Sequence, residues 1–145
     1  MMNKTNELLN QIQADATVFY QKTRAFHWTV TGRHFFQLHE QFEAIYTRWA
    51  EHIDAIAERT VVNGGMPLTT LASILSKATV QEIDAPMDER AMIDAIVSDL
   101  RRLLDGVSQC ASAAESEGNR GTVNVLEGIR DQEEKALWML GAMIK

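Results

Sequence analysis

Apolar residues recur every three or four positions along most of the chain, the spacing that places them on one side of an α-helix. The first stripe reaches Thr31-Gly32, where glycine can supply a C-cap, so the first helix is predicted to stop there. The second stripe runs from Arg33 to Asn63 without glycine or proline and predicts one unbroken helix. The two stripes are Leu9, Ile12, Ala16, Phe19, Phe26 and Val30, then Phe35, Leu38, Phe42, Ile45, Trp49, Ile53, Ile56 and Val61.

The second half of the chain carries one short stripe and two long ones. Residues 67–77 predict a short helix, residues 79–86 a loop, and residues 117–121 a turn before the last helix. No segment of useful length alternates apolar and polar residues, so no strand is expected. We therefore predict an all-α four-helix bundle, one domain over residues 1–145, with a short extra helix in the crossover between the second and third long helices. The stripes are Leu68, Leu71, Ile74 and Leu75; Ile93, Ile96, Val97, Leu100, Leu103, Leu104, Val107 and Ala111; and Val125, Leu126, Ile129, Leu137, Leu140 and Ile144.

Composition narrows the class of protein. The formal net charge is -6, with 14 Lys and Arg against 20 Asp and Glu. This balance argues against a dedicated nucleic-acid binder, which needs clustered cations. The single cysteine, Cys110, excludes an internal disulfide and is expected to be a small buried residue. No apolar run approaches the roughly 18 residues of a membrane span, and the polar N-terminus does not resemble a secretion signal, so we expect a cytoplasmic protein.

Three of the four histidines lie around the predicted turn between the first two helices. They are His27, His34 and His39, while His52 lies further along the second helix. Glu43 follows His39 by four residues, so the two side chains share a helix face. Imidazole with carboxylate suits iron or zinc, and iron is favoured for redox chemistry. Each residue taken singly is more often a surface side chain than a ligand, so the hypothesis depends on how the hairpin groups them.

The hairpin places two histidines side by side. Its midpoint lies near Arg33, with His27 six residues before it and His39 six residues after it. The two imidazoles therefore lie at the same height on adjacent antiparallel helices. Asp54 and Glu58 form another pair four residues apart, but Asp54 is fifteen residues beyond His39, or about 22 Å along the axis. Ligands lie ~2.0–2.2 Å from a metal ion, so this pair cannot join the histidines within one chain.

A two-fold partner would bring the two groups together. If the second helix packs antiparallel against its own copy near Tyr46 to Trp49, His39 of one chain lies level with Asp54 and Glu58 of the other. Trp49 would then anchor the interface, and its alternative role is ordinary bundle core. The residues therefore favour a site shared between subunits, two per dimer.

The chain lacks the motif of an intrachain di-iron bundle. Such centres use Glu-x-x-His, which sets a carboxylate and an imidazole one turn apart. No histidine here has an acid three residues before it, which argues against a centre inside one bundle. The four preceding positions hold Arg24, Thr31, Phe36 and Trp49.

The sequence resembles the Dps-type mini-ferritins, the DNA-binding proteins from starved cells, which have a ferritin-like bundle. The spacings from 27 to 39, 39 to 54 and 54 to 58 match the family's ferroxidase pattern, and helix order and Leu137-Trp138 agree as well. The resemblance covers nearly the whole chain. The matching segments are His27-Trp28-Thr29-Val30-Thr31-Gly32, Phe36-Gln37-Leu38-His39-Glu40, His52-Ile53-Asp54-Ala55-Ile56-Ala57-Glu58-Arg59 and Gly64-Gly65.

The resemblance implies a homododecameric cage of tetrahedral symmetry that stores ferric mineral. It implies a ferroxidase that oxidises Fe(II), commonly with hydrogen peroxide, and so protects the cell against oxidative stress. By position, His27 and His39 would bind iron from one subunit, and Asp54 and Glu58 from its two-fold mate. Zinc is expected as a competitor.

Two further residues acquire roles by the same resemblance. Glu43 matches a position that is often acidic in the family and would assist a second iron. Trp28 resembles the family's tryptophan beside the site, which donates an electron and limits radical escape, and its alternative role is packing at the dimer interface.

Two departures from the family bear on function. DNA binding there often depends on a lysine-rich tail, whereas only Lys4 precedes the first helix here. Family pores for iron entry are usually acidic near the start of the last helix, whereas this chain has residues 119–124 as Asn-Arg-Gly-Thr-Val-Asn. Asp131, Glu115, Glu117 or Glu127 are the acids that could serve instead. A DNA-compacting protein with a secondary metal site and a purely structural helical oligomer remain the alternatives to a ferroxidase.

Overall fold

The computed structural model describes residues 3–145, and within that range the chain forms five helices and no strand. The predicted arrangement of four long helices with one short helix in the crossover is confirmed. The elements are α1 (Lys4–Thr29), α2 (Phe35–Val62), α3 (Leu71–Lys77), α4 (Glu89–Ser116) and α5 (Arg120–Met143). None of these helices is long and apolar enough to cross a membrane, a finding that applies to residues 3–145.

Side-chain caps fix where four of the helices begin. The side chains of Asn3, Thr70, Asp88 and Asn119 each accept a hydrogen bond from a backbone N–H in the first turn of α1, α3, α4 and α5. Such caps satisfy donors that have no partner inside the helix. The first helix ends slightly earlier than predicted, with Val30 as its extended C-cap.

The core is built from the apolar stripes of the long helices. Phe19 of α1 meets Trp49 of α2 edge-on with ring centroids 5.7 Å apart, and Phe26 meets Phe42 at 6.2 Å. Burying each of these side chains contributes roughly 1.5–3 kcal/mol. Trp49 is 0% exposed. The expectation that Trp49 anchors a partner interface is therefore wrong, because it is in phase with Phe42 and belongs to the core.

The crossover between α2 and α4 is tied to α1 by buried polar side chains. The Gln13 amide donates to the Leu68 carbonyl at 2.9 Å and accepts from the Leu68 N–H at 3.0 Å. The Asp15 carboxylate accepts from the backbone N–H groups of Thr79 and Val80. These contacts satisfy buried backbone groups that a loop would otherwise leave unpaired. They hold the irregular segment against the bundle.

Two further buried groups lie between α1 and α4. The Lys22 ammonium donates to the Asp99 carboxylate at 2.8 Å, and burial raises the pKa of Asp99 although Lys22 opposes the shift. The Cys110 thiol is fully buried and contacts the Thr5 carbonyl at 3.6 Å. Burial raises the pKa of this thiol to about 12.

Candidate metal centre

The end of α1 and the start of α2 bring His27 and His39 into direct contact. Their rings stack with centroids 3.8 Å apart and planes 13° from parallel. The Nδ1 of His27 lies 2.7 Å from the His39 carbonyl oxygen, and the Nδ1 of His39 lies 2.8 Å from the His27 carbonyl oxygen. A carbonyl can only accept, so each Nδ1 carries a proton, and in the neutral form of the ring Nε2 presents the lone pair. This reciprocal pairing fixes the orientation of both imidazoles and makes them candidate metal ligands.

A carboxylate lies next to this histidine pair. Glu43 Oε1 is 3.6 Å from His27 Nε2, and the Glu43 side chain is 59% exposed. Tyr46 contacts the His27 ring edge-on at 5.3 Å, and Phe35 stacks on His39 at 5.2 Å. Tyr46 and Phe35 pack against the two imidazoles, and the exposed Glu43 carboxylate lies on the solvent side. We call the two imidazoles and this carboxylate the imidazole half-site.

Asp54 and Glu58 form a second half-site towards the other end of α2. Both are exposed and lie one turn apart. A hydrogen bond with Asp54 and the negative charge of that neighbour raise the pKa of Glu58. A carboxylate pair that repels itself in this way favours a bound proton or cation. Because α2 is continuous, about 22 Å of helix separates His39 from Asp54.

No single subunit completes a metal site from the residues described. Within residues 3–145, no three His, Cys, Asp or Glu side chains are placed to hold one ion. The two half-sites nevertheless share one face of α2. At 100° per residue the five acids of this helix fall within a sector of about 80°, and all five are exposed. They are Glu40, Glu43, Glu51, Asp54 and Glu58.

The other two histidines have partners elsewhere. The backbone N–H of His34 donates to Glu89 Oε1 at 2.8 Å, and the ring Nδ1 of His34 lies 2.9 Å from Glu89 Oε2. These hydrogen bonds hold the pKa of Glu89 below its usual value. His52 Nε2 lies 2.9 Å from Glu133 Oε2, on a different face of α2 from the acids. Neither Glu89 nor Glu133 was predicted from the sequence as a partner of these histidines.

Trp28 follows His27 in sequence but points outward. Its side chain is 59% exposed, and the Arg24 guanidinium lies 5.1 Å from its ring centroid. The same guanidinium lies 5.8 Å from the Tyr46 ring. Tyr46 is thus the aromatic residue in ring contact with His27, a position that the sequence analysis did not assign to it.

The start of α5 is occupied by a hydrogen-bonded cluster. Arg59 Nε donates to Thr122 Oγ1 at 2.9 Å, and Asn63 donates to the same hydroxyl at 3.2 Å. Asn119 in turn donates to Asn63 at 3.0 Å. The hydrogen-bonded side chains at the start of α5 are therefore neutral or basic.

The helix order, with its short helix in the long crossover, and the imidazole and carboxylate groups on α1 and α2 define a ferritin-like bundle. The family model for the ferritin-like domain matches residues 6–145. The chain belongs to this family, and within it to the Dps-type mini-ferritins.

Three known proteins illustrate the relationship. A DNA protection during starvation protein 2 of Bacillus anthracis is 38% identical over 144 residues, covering 99% of each chain. The crystal structure of a Dps protein from Vibrio cholerae O1, described as a member of the ferritin-like diiron-carboxylate proteins, matches with a TM-score of 0.95 and 32% identity, covering 98% of this chain and 89% of that one. A zinc-soaked Dps from Listeria innocua matches with a TM-score of 0.94 and 31% identity, covering 97% and 96%.

Proposed function

We propose that this protein is the subunit of a cytoplasmic iron-oxidising cage, a homododecamer that stores ferric mineral. The observation that carries the proposal is the division of the candidate ligands into two half-sites, one where α1 meets α2 and the other further along the same side of α2. One holds imidazoles and the other carboxylates, and neither is complete alone. The proposal takes each active site from two subunits.

An antiparallel pairing of α2 with its own copy unites the half-sites. A two-fold axis near residues 46–49 sets His39 of one subunit level with Asp54 and Glu58 of its mate. Trp49 is buried, whereas Thr47 and Ala50, close to the proposed axis, are exposed. Their small side chains favour a close approach of the two helices. His27 and His39 then bind Fe(II) from one side, and the acid pair binds from the other.

The ligand types suit iron as a substrate. Neutral Nε2 atoms and ionised carboxylates accept Fe(II) and, because oxygen ligands stabilise the higher charge, also Fe(III). Two Fe(II) ions supply the two electrons that reduce one hydrogen peroxide to two waters, with uptake of two protons. Glu43 is the residue beside the histidines that would hold the second ion. Tyr46, in ring contact with His27, and Trp28, the residue after His27, are the aromatic residues proposed to supply a single electron when only one ion is bound.

Zinc is the expected competitor at this site. It prefers the same nitrogen and oxygen ligands but has no redox chemistry. Zn(II) is therefore expected to inhibit Fe(II) oxidation here.

DNA compaction is the second candidate, favoured by the names of the relatives. The net charge of -6 counts against it, because DNA binding needs clustered cations. Protection of DNA follows equally from removing Fe(II) and peroxide before they generate hydroxyl radical. A gel-shift assay with iron-free protein separates direct binding from this indirect protection.

Complementation between inactive subunits tests the shared site. One variant, the acid donor, carries His27→Ala and His39→Ala, while the other, the imidazole donor, carries Asp54→Ala and Glu58→Ala. Each alone should be inactive because every site lacks half of its ligands. After co-refolding, random pairing makes half of the dimers mixed, and each mixed dimer has one whole site, so roughly a quarter of all sites should recover.

The measurement is the initial rate of Fe(II) oxidation by peroxide before and after co-refolding. Mass spectrometry of the assembled protein shows whether the subunits have mixed. Mixed assemblies without recovered activity would contradict a site shared between subunits.

A further inference from the structure

A buried charge network joins the middle of α2 to α5. Glu133 of α5 is 0% exposed. Its Oε2 accepts from Arg48 Nε at 2.9 Å and from His52 Nε2 at 2.9 Å, and its Oε1 accepts from Arg48 Nη2 at 3.2 Å. The Trp49 ring meets His52 edge-on at 4.9 Å, which closes the network on the core side.

Both carboxylate oxygens of Glu133 are satisfied by charged or ring N–H donors. Burial disfavours the ionised carboxyl, but the hydrogen bonds and charges of His52 and Arg48 outweigh it and hold the pKa of Glu133 below its usual value. A buried ionic group seldom adds much net stability compared with apolar packing of similar size. The bidentate arginine contact instead defines a particular geometry.

The geometry that this network fixes is the rotation of α2. Arg48 and His52 lie one turn apart, and the acid pair follows within the next three turns, about 120° away around the axis. With Arg48 and His52 held against α5, the face of α2 that carries Asp54 and Glu58 is directed away from the bundle. The imidazole half-site does not depend on this contact, because His27 and His39 hold each other through their own backbone carbonyls.

We propose that Glu133 is a positioning residue for the acid half-site and has no comparable effect on the imidazole half-site. It acts through Arg48 and His52, which orient the segment of α2 that carries Asp54 and Glu58 towards the metal. The proposal rests on the function proposed above, because only a shared site separates the two halves onto different subunits.

The two donor variants make this distinction measurable. Glu133→Gln, which keeps the shape of the side chain and removes its charge, is introduced either into the acid donor or into the imidazole donor, and each is co-refolded with the other donor. In the acid donor it should raise the Fe(II) concentration for half-maximal oxidation on the order of tenfold. In the imidazole donor the same substitution should leave this Fe(II) concentration unchanged at the recovered sites.

Co(II) binding provides a readout that does not require turnover. The recovered sites are titrated with Co(II) alone, and the affinity is read from the visible absorbance. Glu133→Gln should weaken Co(II) affinity in the acid donor and leave it unchanged in the imidazole donor. Asp99→Asn is the matched control, since it removes the acceptor of another buried ion pair, between α1 and α4, away from α2. In the acid donor it should leave Co(II) affinity unchanged.

The outcomes separate the two proposals. If the donors recover no activity even with Glu133 intact, the shared site is wrong. If they recover it and Glu133→Gln acts equally in both donors, or in neither, the positioning role is wrong. Arg48→Lys keeps the charge and gives up the bidentate contact, so it is the second variant should Glu133→Gln fail to assemble. It should show the same asymmetry, and an equal effect in both donors would overturn the proposal.

Discussion

Gly32→Ala is the most informative single change in the turn that pairs His27 with His39. Gly32 has φ +117°, a region that other residues rarely adopt. A Cβ at this position would overlap the Glu89 carboxylate, which is the flexible end of its side chain. Glu89 is expected to swing away and release its hydrogen bonds to the backbone and ring of His34.

Gly64→Ala is the matched control at the other end of α2. Gly64 has φ +83°, and a Cβ there would meet nothing within 4 Å. Both substitutions force alanine into an unfavourable backbone conformation, which costs about 1–3 kcal/mol. Only Gly32→Ala also disturbs a neighbouring side chain. It should therefore lower the free energy of unfolding by more than Gly64→Ala does.

The functional consequence should be equally selective. Gly32→Ala loosens the turn that sets the register of the two histidines, so it should raise the Fe(II) concentration needed for half-maximal oxidation, whereas Gly64→Ala should not. Urea unfolding at one fixed protein concentration measures the first effect, and stopped-flow oxidation measures the second. Equal loss of stability in the two variants, or unchanged Fe(II) dependence in Gly32→Ala, would refute this account of the turn.

Three further results are expected. Asp54→Ala should slow Fe(II) oxidation by peroxide at least about tenfold while the assembly keeps its size in gel filtration, because the residue is proposed as a metal ligand and is exposed, outside the core. Dissociation or unaltered kinetics would count against this. Iron-free protein should not shift DNA in a gel at about 150 mM salt, since 20 Asp and Glu outnumber 14 Lys and Arg, and a robust shift would favour the DNA-compacting alternative. Because the pKa of Glu133 in the fold lies below its usual 4.5, its charge stabilises the protein above that pH and the contribution is lost as the pH falls. The free energy of unfolding, measured with urea between about pH 5 and 3, should thus fall less steeply for Glu133→Gln than for the parent protein. Identical slopes of this free energy against pH would contradict the assignment.

The helices were predictable because each long stripe has a consistent phase and a clear break. The interpretation of Trp49 failed for a related reason. A tryptophan at an interface and a tryptophan in the core look alike among polar residues in a sequence. They differ only in whether their helical spacing matches that of the buried apolar residues. Trp49 follows Phe42 by seven residues and Ile45 by four, which places it with the buried stripe. The phase was present in the sequence and pointed to the core.

The site was predictable in part. The spacing of His27 and His39 about the turn was enough to set the two rings side by side, since a helical hairpin has little freedom in register. The reciprocal hydrogen bonds to backbone carbonyls were not predictable, because they depend on side-chain rotamers. Glu133 did leave a signal, being an acid four residues after Ile129 and four before Leu137 in an otherwise apolar stripe. A charge at such a position requires a buried partner, but the sequence does not say which.

The lone cysteine has a consequence for how long the protein remains intact. Thiols react with peroxide as thiolates, and the thiolate form is scarce at neutral pH when the pKa is about 12. Cys110 is also sealed between α1 and α4, without access to a second thiol. If the subunit works in the presence of peroxide, as proposed, its thiol is poorly placed for sulfenic acid formation or for covalent cross-linking to another molecule. Its service life should be limited by its exposed methionines, such as Met66, Met139 and Met143, rather than by its thiol.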